Sequence, residues 1–200
     1  MIRIHAQTPR LVTGPAETPV SLAEAKAHLR VEHDDDDTTI TALVAAATAH
    51  LDGWAGILGL ALVTQTWAQD WPAFPARLIP LPLAPVLTKS AVTITYLDTL
   101  GLAQTLDDDL YHLVRFRGGP AIMLDDDADW PDTVDRPDAV SVQFVCGYGA
   151  ASAVPAAIRH ALLLLVGHWY EHREAAATKA ATELPIGVQA LIAPYRRVGV

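Results

Sequence analysis

His168, Glu171 and His172 stand in the order H-x-x-E-H, the arrangement in this chain that comes nearest to the spacing of a metal-dependent catalyst. Two histidines four residues apart share one face of a helix and can hold a Zn²⁺ ion, while the glutamate between them serves as general base toward a bound water. Such a centre needs a third ligand. Downstream only Glu174 and Glu183 follow, the first on the same helix and the second in a flexible stretch. The competing reading is an amphipathic helix whose last turn emerges into water with His, Glu and Arg.

Three aspartate runs raise the question of calcium: Asp34 to Asp37, Asp107 to Asp109 and Asp125 to Asp127. None has the D-x-[DN]-x-[DN]-G spacing with a distal glutamate, and neighbouring carboxylates on extended chain point in different directions. They read as a helix cap and two solvated loops. Serine, histidine and aspartate are all present, but without a G-x-S-x-G elbow no triad can be assembled from them. Gly118-Gly119 and Gly147-x-Gly149 match neither phosphate-loop pattern. The single Cys146, inside VQFVCGYG, excludes an internal disulfide and reads as a small strand hydrophobe. No catalytic site, metal or cofactor is therefore expected, and the zinc hydrolase stays as the alternative.

The elements that would position these residues follow from hydropathy and punctuation. Half of the 200 residues are hydrophobic, enough for the core of one domain or of one domain with an insertion. The longest apolar run, Ala161 to Val166, is far short of the roughly 20 residues a bilayer span needs, and MIRIHAQTPR lacks the apolar core of a signal peptide. The expectation is a soluble protein, made and used in a cytoplasm. The net charge of −9 is concentrated between Asp98 and Asp138, where eleven acids face Arg115, Arg117 and Arg136. A sequence-specific DNA reader would carry the opposite balance. From Leu184 onward there is no acid, only Arg196 and Arg197.

Residues 1–20, with Pro9, Pro15 and Pro19, read as an extended arm. Ser21 and Glu24 form a capping box for a short helix through about Val31, and Ile40, Leu43, Val44, Ala47, Leu51 and Trp54 mark a second helix, so that 21–60 begin a helical frame. Over 61–150 the period changes to short β-branched and aromatic runs between Pro, Gly and Asp clusters, the mark of an inserted antiparallel β region. In its last strand Val140, Val142, Phe144 and Cys146 share one face. Residues 151–176 return to a long helix from Pro155. Ile158, Ala161, Leu162, Leu165 and Trp169 form its core stripe, yet Leu163, Leu164 and Val166 fill the other sides of the same turns. Residues 177–200, broken by Pro185, Gly187 and Pro194, read as an extended tail with apolar anchors. The fold class expected is α+β: a bundle of two N-terminal helices and one long helix, with a small antiparallel β insertion and an extended C-terminal tail.

Taken in order, PVSLAEAKAHLRVEHDDDD (Pro19 to Asp37), LVTQTWAQDWPAFP (Leu62 to Pro75), LPLAPVLTKSAVTITYLDTLG (Leu81 to Gly101), AVSVQFVCGYG (Ala139 to Gly149), VPAAIRHALLLLVGHWYEHRE (Val154 to Glu174) and LPIGVQALIAPYRR (Leu184 to Arg197) resemble the phage head-tail connector (adaptor) family of tailed phages and phage-like gene transfer agents. Where that family often has Asn in the W-Y-x-x-R turn of the long helix, this chain has His172, so the zinc-like motif reads as an accident of one substitution. The resemblance implies a non-enzymatic ring of a particle neck, assembled in the bacterial cytoplasm and twelvefold like a portal, that docks on the portal, meets a stopper or tail protein below, and passes DNA only as non-specific cargo, with no membrane partner; another neck protein, such as a stopper itself, is the alternative beside the zinc hydrolase. On that reading Leu163, Leu164, Val166 and Tyr170 face neighbouring subunits. Asp107, Asp108, Asp109, Asp125, Asp126 and Asp127 form acidic loops at the channel or the next ring. Leu184, Pro185, Ile186, Leu191, Ile192, Tyr195, Arg196 and Arg197 form the portal-binding tail.

Overall fold

Ser21 starts the first helix as the capping box requires: its hydroxyl accepts the Glu24 N–H at 3.2 Å and the Glu24 carboxylate accepts the Ser21 N–H at 2.9 Å. This helix, α1 (Leu22–Leu29), stops at Arg30, which takes the left-handed conformation (φ 57°) and lets Val31 N–H reach back to the Lys26 carbonyl. The computed structural model describes residues 6–172 and 184–197. They divide into a helical unit, 16–63 with 148–172 and 184–197, and a β unit, 6–15 with 64–147.

In the helical unit α1 is followed by α2 (Asp37–Leu51), α3 (Ala156–Glu171) and α4 (Ile186–Ile192). The aspartates before α2 do not cap it through a side chain. They act sideways instead: Lys26 Nζ lies 2.6 Å from both Asp34 and Asp37, which ties the start of α2 to α1. Helix α3 packs against the other three. Ile158, Ala161, Leu162, Leu165 and Val166 are buried, and Gly167 lets the His28 and Leu29 side chains come to 3.6 and 3.7 Å of where a Cβ would stand. Arg159 holds this packing at one end, donating to the Pro19 carbonyl at 3.2 Å and pairing with Glu24.

The β unit holds eight strands in two antiparallel sheets. Strands β1 (Arg10–Thr13), β2 (Gln65–Trp71), β4 (Val92–Leu97), β5 (Ala103–Thr105) and β8 (Val140–Cys146) form one sheet in the order β1-β2-β8-β4-β5. Strands β3 (Leu78–Pro80), β6 (Tyr111–Phe116) and β7 (Gly119–Leu124) form the other in the order β3-β7-β6. Strand β8 lies between β2 and β4, with Phe144 opposite Trp67 on one side and Val92 on the other. Val140, Val142, Phe144 and Cys146 all point into the core, as their alternation requires. Phe74 and Trp130 stack at 4.7 Å, with Tyr96 edge-on, and pin the loops that carry them.

This corrects the expected fold class. The described residues form a mixed structure of four α-helices and two sheets, and the helices are not one bundle with a small β insert. The β region has its own core, including Ile79, Leu83, Ile94, Tyr111, Ile122 and Phe144, each at most 1% exposed. Its edges come from segments too short or too polar to register as strands: β1 from the Pro-rich arm and β5 from AQT, both exposed throughout. The expected extended tail likewise contains α4.

Candidate functional site

The H-x-x-E-H residues sit at the C-terminal end of α3. The rings of His168 and His172 are 4.7 Å apart, and His172 Nδ1 lies 2.9 Å from the His168 carbonyl, so that nitrogen donates there. Glu171 and His172 are exposed. Glu174 and Glu183 lie outside the described residues. Among the described residues the one group of three or more His, Cys, Asp or Glu side chains whose ligand atoms converge is Asp107, Asp108 and Asp109, all exposed. There Asp107 accepts the Asp109 N–H at 3.1 Å, an ordinary local turn contact. The helix end brings no third ligand to its two histidines among those residues.

The remaining sides of α3 are covered largely by its own chain. Val166 is 1% exposed, so this residue of the expected subunit interface belongs to the subunit core. The Tyr170 hydroxyl donates to the Asp36 carboxylate and is committed to the start of α2. Leu163 and Leu164 stay half-buried, and Leu164 Cδ1 stands 3.6 Å from the Cβ position of Gly187 in α4. Helix α4 thus meets part of the apolar surplus that made α3 conspicuous. Its punctuation bounds it rather than breaking it: Pro185 is the N-cap, Gly187 lies in the first turn, and Pro194 stands two residues past the end, in a 3₁₀ turn. Val188 and Ile192, four apart, supply the buried stripe.

Around α4 the expected tail residues divide into two groups. Ile192 is buried, Leu184, Pro185, Leu191 and Tyr195 are half-buried, and Ile186 and Arg196 are exposed, Ile186 to 85%. Arg197 closes the segment, its N–H donating to the Leu58 carbonyl at 3.1 Å and its guanidinium to the Gly59 carbonyl at 3.3 Å. Burial pulls the Arg197 pKa below its usual value, yet an arginine so placed stays charged. Burial likewise raises the Tyr148 hydroxyl, with Tyr195 adding to the shift.

In the β unit the register sets Tyr111 opposite Leu124, and the Asp125 N–H donates to the Leu110 carbonyl at 3.0 Å. Asp107 to Asp109 and Asp125 to Asp127 are thereby gathered at one end of the β6–β7 hairpin. Few basic side chains face them: Arg77 pairs with Asp126 at 2.8 Å, the His112 ring lies 2.9 Å from Asp125, and Lys89 donates to the Asp108 carbonyl at 2.6 Å. Asp98 turns the β4–β5 hairpin, accepting N–H bonds from Leu102 and Leu100 at 2.9 Å each, and the first of these holds its carboxyl below the usual range. That turn leaves Leu100 82% exposed. The β6–β7 turn does the same for Phe116, at 54%. Neither apolar tip was anticipated from sequence. The available signal was an aromatic or leucine beside a Gly-containing turn, where a packed side chain has no reason to be.

The fold bears on known proteins in two ways. Residues 19–73 match the family model of the phage gp6-like head-tail connector protein. The whole chain is similar to a chain in the virion of a native gene transfer agent (GTA) particle, at 27% identity over 97% of each chain with a TM-score of 0.77. It is similar as well to chains in the neck of an empty GTA particle computed with C6 symmetry (26%, 97% of each chain, 0.77) and in the neck of a native GTA particle computed with C12 symmetry (25%, 97% of each chain, 0.71). Comparison with curated proteins yields no match. The connector signature over residues 19–73 and the fold shared along almost the whole length support a structural, connector-like role for this chain in the neck of a phage-like particle.

Proposed function

We propose that the chain is a non-enzymatic adaptor subunit: a ring of twelve copies, assembled in the bacterial cytoplasm, that docks on the portal, continues the DNA channel and hands over to a stopper or tail protein. A homo-oligomer in a neck is supported by the neck structures it resembles, computed with C6 and C12 symmetry. A rotational ring makes each interface heterologous, so one patch of a subunit meets a different patch of the next. Exposed Asp107 to Asp109 supply negative charge at the channel or toward the next ring, where like charge lets DNA pass without sticking.

The observation that carries the portal contact is α4. It seats Val188 and Ile192 inward and leaves Ile186 85% exposed, on a segment whose described charged residues, Arg196 and Arg197, are both cations. A large aliphatic side chain held in water on a docked helix is an anchor ready for a partner's pocket. Half-buried Leu184, Pro185, Leu191 and Tyr195 would complete the contact around it, and half-buried Leu163 and Leu164 are the α3 residues left for a neighbour. Deleting Leu184 to Val200 should abolish co-sedimentation with the portal, and Ile186→Asp, at a side chain 85% exposed, should do so without lowering the melting temperature. Portal binding by Ile186→Asp at parental strength would overturn the assignment.

A further inference from the structure

We propose that the tip of the β6–β7 hairpin of one subunit seats on the outer face of the three-stranded sheet of the next copy, Phe116 and Arg117 meeting Leu78, Met123 and Asp127. The proposal rests on the ring reading above and names the surfaces that would close it.

The tip is built to project. Phe116 pairs with Gly119 across a two-residue turn, Arg117-Gly118, and Gly119 takes φ 131°, which favours glycine. Arg115 braces the turn from below, donating to the Val86 and Leu87 carbonyls at 3.2 and 2.6 Å. Phe116, next to Arg117 in the chain, is left 54% exposed, and Leu87, whose carbonyl takes Arg115, 57%. Among the described residues neither Arg115 nor Arg117 has a carboxylate partner.

The opposite end of the same sheet has the complementary chemistry. Cross-strand register sets Leu78, Met123 and His112 in one row, on the face away from buried Ile79 and Ile122. Leu78 and Met123 remain 37% and 36% exposed, apolar where the outer face of a sheet is ordinarily polar. Asp125 to Asp127 follow directly, and Asp127 has no cation partner among the described residues.

A subunit cannot satisfy this pair by itself. Phe116 and Met123 lie four strand positions apart on one hairpin, roughly 13 Å, and a two-stranded ribbon does not fold back on its own end. The occupant is therefore a second copy, and a contact that joins one end of a subunit to the other end of the next is the heterologous kind that a ring requires. Arg117 alone would suit nucleic acid, but duplex DNA offers nothing to Phe116 and Leu87.

The test is a cysteine pair in the full chain. Phe116→Cys and Met123→Cys would lie roughly 13 Å apart within a subunit, well beyond the ~7 Å limit for a disulfide, so an oxidised bond must join two chains. We expect the double variant to give a ladder of covalent multimers up to ring size on a non-reducing gel, with no ladder from either single variant. Arg117→Asp should raise the concentration needed for assembly roughly tenfold or more, and adding Asp127→Arg should recover part of it. Parental rings by light scattering with no ladder, and with Arg117→Asp assembling normally, would overturn the proposal and leave the ring standing. Rings of Arg117→Asp that assemble normally but lose a duplex DNA bound by the parent would overturn it in favour of nucleic acid. A chain that stays monomeric with and without its portal would remove both readings.

Discussion

Gly187→Ala tests whether α4 is a docked helix. Glycine inside a helix costs roughly 0.5–1 kcal/mol relative to alanine, because it has more backbone freedom to lose. The new methyl group would meet only Leu164 Cδ1, at 3.6 Å, an ordinary van der Waals distance. Nothing opposes the gain, so α4 should be stabilised by about 1 kcal/mol, which slows opening roughly fivefold. Hydrogen exchange of the amides from Val188 to Ile192 reads this directly, and those amides should exchange a few times more slowly than in the parent. Val188→Asp is the opposite perturbation. Val188 is fully buried, so the change forfeits about 1.5–3 kcal/mol of apolar burial and puts a carboxylate where no partner stands. Its amides should lose protection altogether while Ile158 to Leu165 keep theirs. Unchanged or faster exchange in Gly187→Ala would refute the reasoning, because a seven-residue helix is too short to persist without its docking contacts.

Three further outcomes follow. Ser21→Ala should cost about 1 kcal/mol of stability by removing the α1 cap. The Glu24 carboxyl sits below its ordinary 4.5, chiefly through the Ser21 N–H, with both its hydroxyl and Arg159 adding to the effect. A depressed folded pKa stabilises above the unfolded value and loses that contribution as pH falls through the folded one. Glu24→Gln should therefore melt below the parent at pH 7, and the gap should close in scans taken progressively below pH 4.5. Chelation supplies the third test: treatment with EDTA should leave the melting temperature unchanged and His168→Ala should bind as much zinc as the parent, namely none, whereas stoichiometric zinc lost in that variant would revive the hydrolase reading.

Much of the local structure was legible because local rules govern it. The Ser21 to Glu24 box, the alternation from Val140 to Cys146 and the stripe from Ile158 to Leu165 each depend on residues a few positions apart, and all appear as the pattern requires. The ordered phrases that resemble the connector family were legible for the same reason. Helix α4 is not legible as a helix because Pro185, Gly187 and Pro194 are residues that ordinarily break one, whereas here Pro185 caps it, Gly187 lies in its first turn and Pro194 falls in the 3₁₀ turn after it. Strands β1 and β5 carry no hydrophobic alternation, since an edge strand exposed throughout needs none.

The sequence by itself determined the elements with a strong period and the absence of a G-x-S-x-G elbow and of the phosphate-loop patterns, because side-chain chemistry and spacing act over a few residues. Only the tertiary structure decided what each surplus meant. Val166 is core because α3 is surrounded, and Tyr170 is held because Asp36 comes to it from more than a hundred residues away. Arg117 and Asp127, ten residues apart in the chain, stand at opposite ends of one hairpin because β6 and β7 pair in register. Burial and charge placement are sums over the whole fold, and they exist only once the chain has closed on itself.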